Sequence, residues 1–129
     1  MDPTRVKSIK LFQDVPDEAV REVATFAKEI SVEEGKTLVE EGDYSYEFIA
    51  IEEGTAKVMR EGEEVAKLEQ GDFFGEAGLI ERHRRNATVV AETPMRLITL
   101  TGWDLRRLEK SSPEAFDKIR ETMEARRPA

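Results

Sequence analysis

The sequence predicts a mainly β domain, a barrel or jelly roll of short strands flanked by helices. Three observations carry this. Glycines at positions 35, 42, 54, 62 and 71 recur at gaps of seven to twelve residues, each beside an Asp or Glu. Short runs of strand-forming residues lie between them, the rhythm of an all-β barrel or jelly roll. Before and after this region, apolar residues fall instead at helical spacings of three and four. A chain of 129 residues, 39% hydrophobic and 37% charged, suits a single domain with its own core, and it is too hydrophobic and too patterned for disorder.

Residues 1–30 read as helical. Val6, Ile9, Leu11 and Phe12 suggest a short helix or turn. Pro16 suits the first turn of a helix, whose apolar stripe is Ala19, Val20, Val23, Ala24, Phe26, Ala27 and Ile30. Residues 31–100 form the β region. Strands are expected at Thr37–Val39, Phe48–Ile51, Ala56–Met59, Glu64–Leu68, Ala87–Ala91 and Leu97–Leu100, with another ending at Phe74. Two helices are expected over residues 101–127. Thr101 caps the first, which carries Trp103, Leu105 and Leu108, with Trp103 expected to pack the helix against the barrel. Ser112-Pro113-Glu114 opens the second with a capping hydroxyl, a proline at the first position and an acid near the positive end of the helix dipole. Its stripe of Ala115, Phe116, Ile119 and Met123 suits core, lid or dimer surface, with Phe116 and Ile119 assigned to core.

Composition narrows the function. No run of 18 apolar residues exists, no apolar stretch follows the N-terminal Met1-Asp2-Pro3-Thr4-Arg5, and there is no cysteine. The expectation is a cytoplasmic protein without a membrane span, a secretory signal, disulfides or a thiolate metal site. For that reason Asn86-Ala87-Thr88 is read as a chance match to the glycosylation pattern. The net charge is −8, which disfavours direct binding of nucleic acid. Residues 101–129 hold seven Lys/Arg against six Asp/Glu, a net of +1, so residues 1–100 carry −9. Inside that acidic part sits one basic cluster, Arg82-His83-Arg84-Arg85. His83 is the sole histidine and is given no role. One histidine and no cysteine disfavour a metal-dependent enzyme on a jelly roll, and no nucleophile–base pair is visible, so the chain reads as non-enzymatic.

The segment that carries chemistry runs from Gly71 to Val89. A strand ends at Phe74, and Gly75 and Gly78 let the backbone turn sharply and approach a ligand closely. Residues 76–80 suit one helical turn whose free N–H groups would face an anion. Arg85 opens the next strand and so faces that turn, offering a planar cation for bidentate contact.

Gly71-Asp72-Phe73-Phe74-Gly75-Glu76, then Leu79-Ile80, then Arg85-Asn86-Ala87-Thr88-Val89, resembles the phosphate-binding cassette of cyclic-nucleotide-binding domains, the family of the catabolite activator protein and the protein kinase A regulatory subunit. Glu41-Gly42-Asp43, Phe48–Ile51 and Glu53-Gly54 fit the family pattern before the cassette, and the likeness runs from Leu11-Phe12 to the final helix. The resemblance implies one domain over 1–129, a jelly-roll β-barrel (double-stranded β-helix) with an N-terminal helix, a cassette over 75–89 and two C-terminal helices. It implies a regulatory sensor whose ligand is cAMP, with cGMP less favoured, and which needs no other cofactor.

The family's roles carry over by position. Glu76 would accept the ribose 2′-hydroxyl and Arg85 would pair with the cyclic phosphate. The amides around Ala77 and Gly78 would donate to phosphate oxygens, and Leu79 would relay ligand binding to the last helix. Arg120, Met123 and Arg126 are candidates for a lid over the base. Gly75 and Asn86 complete the binding set. Three positions depart from the family pattern. Ala77 stands where many members have a large apolar residue. Arg84 stands where many have proline, and it either adds to phosphate attraction or sits in solvent. Asn86 stands where Ala is usual in cAMP readers and Thr is common in cGMP readers. Movement of the C-terminal helix would signal to a protein effector, with a homodimer through that helix also expected. The alternative is a degenerate domain that kept the fold and acts as a ligand-free interaction module.

Overall fold

The structure, a computed structural model, describes residues 1–44, 47–75 and 84–125, with side chains to residue 122. Helix α1 (Pro3–Lys7), a 3-10 turn (Lys10–Phe12) and helix α2 (Asp17–Phe26) come first. Eight strands follow: β1 (Lys28–Val32), β2 (Thr37–Val39), β3 (Glu47–Glu53), β4 (Ala56–Arg60), β5 (Glu63–Leu68), β6 (Phe73–Phe74), β7 (Thr88–Ala91) and β8 (Met95–Thr101). Helices α3 (Gly102–Ser111) and α4 (Pro113–Ala125) close the described chain.

The strands form two antiparallel four-stranded sheets, ordered β1-β8-β3-β6 and β2-β7-β4-β5. The expected barrel is therefore an open jelly-roll sandwich, because no ladder joins the two sheets among the described residues. The glycine punctuation is realised in the backbone: Gly35, Gly42, Gly54, Gly62 and Gly71 all have positive φ, between 82° and 101°. At Gly54 the need is also steric, since a Cβ there would lie 2.6 Å from the Pro94 carbonyl oxygen.

Two apolar clusters hold the layers together. One fills the space between the sheets with Ile49, Ile51, Val58, Phe74, Val89 and Leu97. The other lies between the first sheet and the helices, and contains Phe12, Val20, Val23, Phe48, Ala50, Ile98, Leu100, Leu105, Leu108 and Ile119. The central strands β3 and β8 thus serve both. Successive side chains on a strand point to opposite faces, so Phe48 and Ala50 meet helices while Ile49 and Ile51 meet the other sheet. This explains why Phe48–Ile51 is uninterrupted apolar sequence rather than alternating. In β4 the pattern does alternate, with Ala56 and Val58 buried and Lys57 and Met59 partly exposed, because its sheet has one solvated face. Phe48 anchors the helix-side cluster, edge-on to Phe12 at 6.0 Å and beside Phe73 at 5.5 Å.

Two sequence expectations need correction. Residues 28–30 are not helical. The chain leaves α2 at Ala27, whose ψ of 141° is extended, and Lys28–Val32 pairs with β8 from Lys28↔Thr99 to Val32↔Met95. Ile30 keeps the helical spacing with Phe26 and Ala27, yet it is 42% exposed on an edge strand. So short a segment carries too few positions to separate the two periods. Trp103 does not pack the helix against the sheet, being 81% exposed. Each helical residue advances about 100°, so Trp103 lies about 200° from Leu105, while Leu105 and Leu108 share the buried face.

The expected Thr101 cap is present. The Thr101 hydroxyl accepts from the Asp104 amide, and the Asp104 carboxylate accepts from the Thr101 amide, a reciprocal capping box. Helix α4 begins at Pro113, its Ala115 and Ile119 are buried, and Phe116 is partly buried against the same cluster. None of the described helices is long and apolar enough to cross a membrane.

An ionic cluster ties α1 to the first sheet. Arg5 bonds Glu52 through Nε and Nη2, each at 2.7 Å, and also meets Glu29. Arg96 joins through Nε to Glu52 at 2.9 Å and through Nη2 to Glu53 at 2.9 Å. The Glu52 side chain is only 10% exposed. The hydrogen bonds and charge of Arg5, with Arg96 adding to them, hold its carboxyl below the ordinary glutamate range against the opposing effect of partial burial. A lowered folded-state value means that this stabilisation is complete above the ordinary glutamate range and is lost as pH falls through the lowered value. Glu52→Gln is therefore expected to cost about 1–3 kcal/mol at neutral pH. The gap from the parent should begin to narrow as pH falls below the ordinary glutamate value of about 4.3 and close only below the lowered value. Denaturant titrations across pH check this, and a gap independent of pH would remove Glu52 from the acid limb.

Candidate functional site

The candidate site is built where three separate stretches meet: the turn after β2, the end of β6 and the entry to β7. Gly42, with φ +93°, turns the chain after β2 so that residues 42–44 run antiparallel to residues 84–85. The Gly42 amide donates to the Arg85 carbonyl at 2.8 Å, and the Arg85 amide donates to the Asp43 carbonyl at 2.6 Å. These bonds fix the Arg85 backbone.

The Arg85 side chain is then directed inward. The residue is only 8% exposed, and its Nη2 donates to the Glu47 carbonyl at 2.8 Å. Gly75 makes room for it. With φ +81°, Gly75 sits so close that a Cβ would overlap Arg85 Nη1 and lie 2.7 Å from the Glu47 carbonyl oxygen. A buried guanidinium is expensive unless it is hydrogen-bonded or meets an anion.

Arg85 lines a cavity of about 210 Å³. Leu38, Val39 and Ile49 provide apolar wall, and Glu40, Asp43, Tyr44 and Glu47 complete the described lining. Chemically this is a slot lined by both a forked cation and hydrocarbon, suited to a ligand that joins an anionic group to an apolar body. Two other clefts, of about 370 and 400 Å³, are lined by charged residues that include Lys7, Asp17 and Arg21 in one and Lys67 and Glu92 in the other. Neither contains a buried cationic side chain. Among the described residues no group of three or more His, Cys, Asp or Glu is arranged to hold a metal ion.

Of the residues singled out in the sequence, the structure brings Gly75 and Arg85 together. Glu76, Ala77, Gly78 and Leu79 lie outside the described residues, as do Arg126 and the side chain of Met123. Asn86 is exposed, and its carbonyl accepts from Arg60 Nε at 3.1 Å. Arg120 is exposed on α4, bonded to Asp117 at 3.1 Å with its guanidinium 5.9 Å from the Phe116 ring, and it does not line the cavity. Arg84 is exposed to solvent, one of the two expectations, and it also packs against the neighbouring turn. It stacks 4.5 Å over the Tyr44 ring, and it donates to the Gly42 carbonyl at 2.8 Å and to the Tyr44 hydroxyl at 3.3 Å, clasping the turn that fixes Arg85. Sequence reasoning did not single out Tyr44 or the Glu47 carbonyl. Glu41-Gly42-Asp43 was visible only as a turn, because backbone acceptors leave no mark in residue type.

The fold is a jelly-roll sandwich with helices packed on one sheet and a buried arginine lining a partly apolar slot. The chain belongs to the cyclic-nucleotide-binding domain family, whose model matches residues 29–112. It is 33% identical over 105 residues to a cAMP-dependent protein kinase regulatory subunit of Yarrowia lipolytica, covering 80% of this chain and 28% of that protein. It is 34% identical over 122 residues to a cyclic nucleotide-gated potassium channel of Rhizobium etli, covering 95% of this chain and 34% of that protein. The chain therefore spans about a third or less of the length of these relatives. Among solved structures, a cAMP-bound PfPKA-R has the same fold with a TM-score of 0.78 at 21% identity, over 96% of this chain and 46% of that one.

Gly75 allows a test of the arrangement itself. Gly75→Ala is expected to lose about 1–2 kcal/mol from backbone strain alone, and more from displacing the guanidinium. In the double variant with Arg85→Ala the second loss should disappear, so the two substitutions should combine non-additively. Denaturation midpoints of the four proteins measure this. Strict additivity would mean that the two residues do not compete for space.

Proposed function

We propose that this domain binds a cyclic nucleotide as a regulatory sensor, with cAMP preferred to cGMP, and performs no catalysis itself. Arg85 pairs with the cyclic phosphate, and Leu38, Val39 and Ile49 contact the apolar part of the nucleoside. The observation that carries the reading is the buried Arg85 guanidinium lining a cavity with apolar walls. Family membership supports it, as do the cAMP-dependent kinase subunit among its relatives and the cAMP-bound structure of the same fold. In the same reading Glu76 accepts the ribose 2′-hydroxyl, the amides near Ala77 and Gly78 donate to the phosphate, and Leu79 relays binding to the C-terminal helix.

The lid requires movement. With Ala115 and Ile119 buried among the helices and Arg120 held on its own helix, α4 belongs to the helix-side cluster rather than to the cavity. A ligand that binds better to a state with α4 over the cavity would shift the population toward it, and that shift is the proposed signal to a protein effector.

Submicromolar binding requires more than about 8 kcal/mol, whereas one charge-assisted hydrogen bond supplies about 1.5–3 kcal/mol. Arg85 therefore contributes beside the cassette amides and the apolar walls. Arg85→Ala is expected to weaken cAMP binding by about 10–100-fold or more. Arg85→Lys should recover only part of this, because it keeps the charge but loses the fork. Calorimetric titration with cAMP and cGMP, with circular dichroism to confirm folding, is the measurement. Unchanged affinity in Arg85→Ala would remove Arg85 from the site, and tighter cGMP binding in the parent would reverse the base preference.

A further inference from the structure

We propose that Arg84 and Tyr44 are positioning residues for the ligand: their clasp over the turn at residues 42–44 holds Arg85 ready to receive a phosphate. This rests on the reading of the Arg85 cavity as the nucleotide site, and adds the contact that keeps that site preformed. Arg84 sits in a β-bridge, and successive side chains of extended backbone point to opposite faces. Arg85 is accordingly buried while Arg84 is exposed. Tyr44 is the bridge partner of Arg84, and residues directly opposite in an antiparallel pair put their side chains on the same face. The Arg84 guanidinium stacks 4.5 Å from the centre of the Tyr44 ring. Its Nη1 also donates to the Gly42 carbonyl at 2.8 Å.

Two backbone bonds fix Arg85. The Gly42 amide donates to its carbonyl at 2.8 Å, and its own amide donates to the Asp43 carbonyl at 2.6 Å. The bridge between Tyr44 and Arg84 lies outside the ladders of the two sheets. Such a turn opens locally at low cost, because no neighbouring ladder has to break with it. In the open state Arg85 loses both backbone anchors, and they no longer aim its fork. A ligand that needs the aimed fork binds only the closed fraction, so its apparent affinity falls with that fraction. The clasp favours the closed state by holding Gly42 at both ends, its amide on Arg85 and its carbonyl on the Arg84 side chain. Tyr44 links clasp to cavity, since its ring carries Arg84 and the residue also lines the cavity. A cation stacked on an exposed aromatic ring shifts an equilibrium by about two- to fivefold, which sets the size of the effect.

Other roles for the same two residues leave different signatures. A cation that attracted the phosphate through solvent would act without Tyr44 and would weaken as salt screened it. A Tyr44 ring in direct contact with the nucleoside would act without Arg84. Only in the clasp do the two residues act as one unit, so that the second loss costs little once the first has occurred. Linkage adds a further mark. A ligand that binds the closed turn better must itself shift the turn toward closure, so bound cAMP protects the Gly42 and Arg85 amides.

The test uses the full chain with Tyr44→Leu, Arg84→Gln and the double variant, beside the conservative Tyr44→Phe and Arg84→Lys. Calorimetry gives the cAMP affinity. Amide hydrogen exchange, without and with cAMP, follows Gly42 and Arg85 against the amides of the β4–β7 ladder. Tyr44→Leu and Arg84→Gln should each weaken cAMP binding about two- to fivefold, and the double variant should bind no more weakly than the poorer single one. Tyr44→Phe keeps the ring and Arg84→Lys keeps a cation over it, so each should retain more affinity than the non-conservative change at its position. Without ligand, Gly42 and Arg85 should exchange faster in Tyr44→Leu and Arg84→Gln while the ladder amides keep the parent rate, and saturating cAMP should restore protection. Affinity losses that multiply in the double variant, unchanged exchange at Gly42 and Arg85, or faster exchange that spreads to the ladder would overturn the positioning role. Absence of cAMP binding in the folded parent would instead overturn the reading of the cavity, and the positioning role with it. Exchange measured without ligand tells these failures apart.

Discussion

The buried guanidinium of Arg85 is the constraint on which the site depends. A charge removed from water must be compensated by hydrogen bonds or by an opposite charge. The Glu47 carbonyl supplies a bond from β3, the turn at residues 42–44 fixes the Arg85 backbone, and Gly75 leaves the space that any side chain would occupy. Residues 38 to 43 positions apart in sequence are thus held in one arrangement around one arginine. Arg84 reinforces the same turn from outside by stacking on Tyr44.

Strand β3 connects this site to the helices. Its Glu47 carbonyl holds Arg85, its Ile49 lines the cavity, and its Phe48 and Ala50 face the helix-side cluster that contains Leu105, Leu108 and Ile119. A close-packed interior transmits displacement rather than absorbing it. A change at the cavity therefore has a short physical route, across one strand, to the elements that pack α3 and α4. The ionic cluster of Arg5, Glu52, Glu29 and Arg96 fastens α1 to the same sheet, so the N-terminal helix shares that frame.

Much of the fold was legible because its signals are local. Glycine at positive φ is a property of single residues, and every glycine from 35 to 71 that marked a turn adopts it. Thr37–Val39 was placed at its observed bounds, and Phe48–Ile51 lies inside β3, because β-branched and aromatic runs between turns leave few alternatives. The Thr101 cap and the Pro113 start were equally readable from residue chemistry. The failures have a common cause. Strand β1 exists because the edge of β8 offers Lys28–Val32 a ladder, which no window of sequence reports. Trp103 is exposed because the face that Leu105 and Leu108 bury lies on the other side of α3.

The site divides the same way. Sequence by itself determined that a glycine turn, a glutamate and an arginine belong to one segment, and the family pattern gave Arg85 and Glu76 their expected partners. Tertiary structure decided that Arg85 is buried against the Glu47 carbonyl, that Arg84 clasps Tyr44, and that Glu40, Asp43 and Glu47 share the cavity. It also decided that the opening expectation of a barrel is met by two separate sheets. The physical reason is that residue type specifies what a side chain or a turn can do. Burial, backbone acceptors and the juxtaposition of distant charges arise only once the chain has folded back on itself.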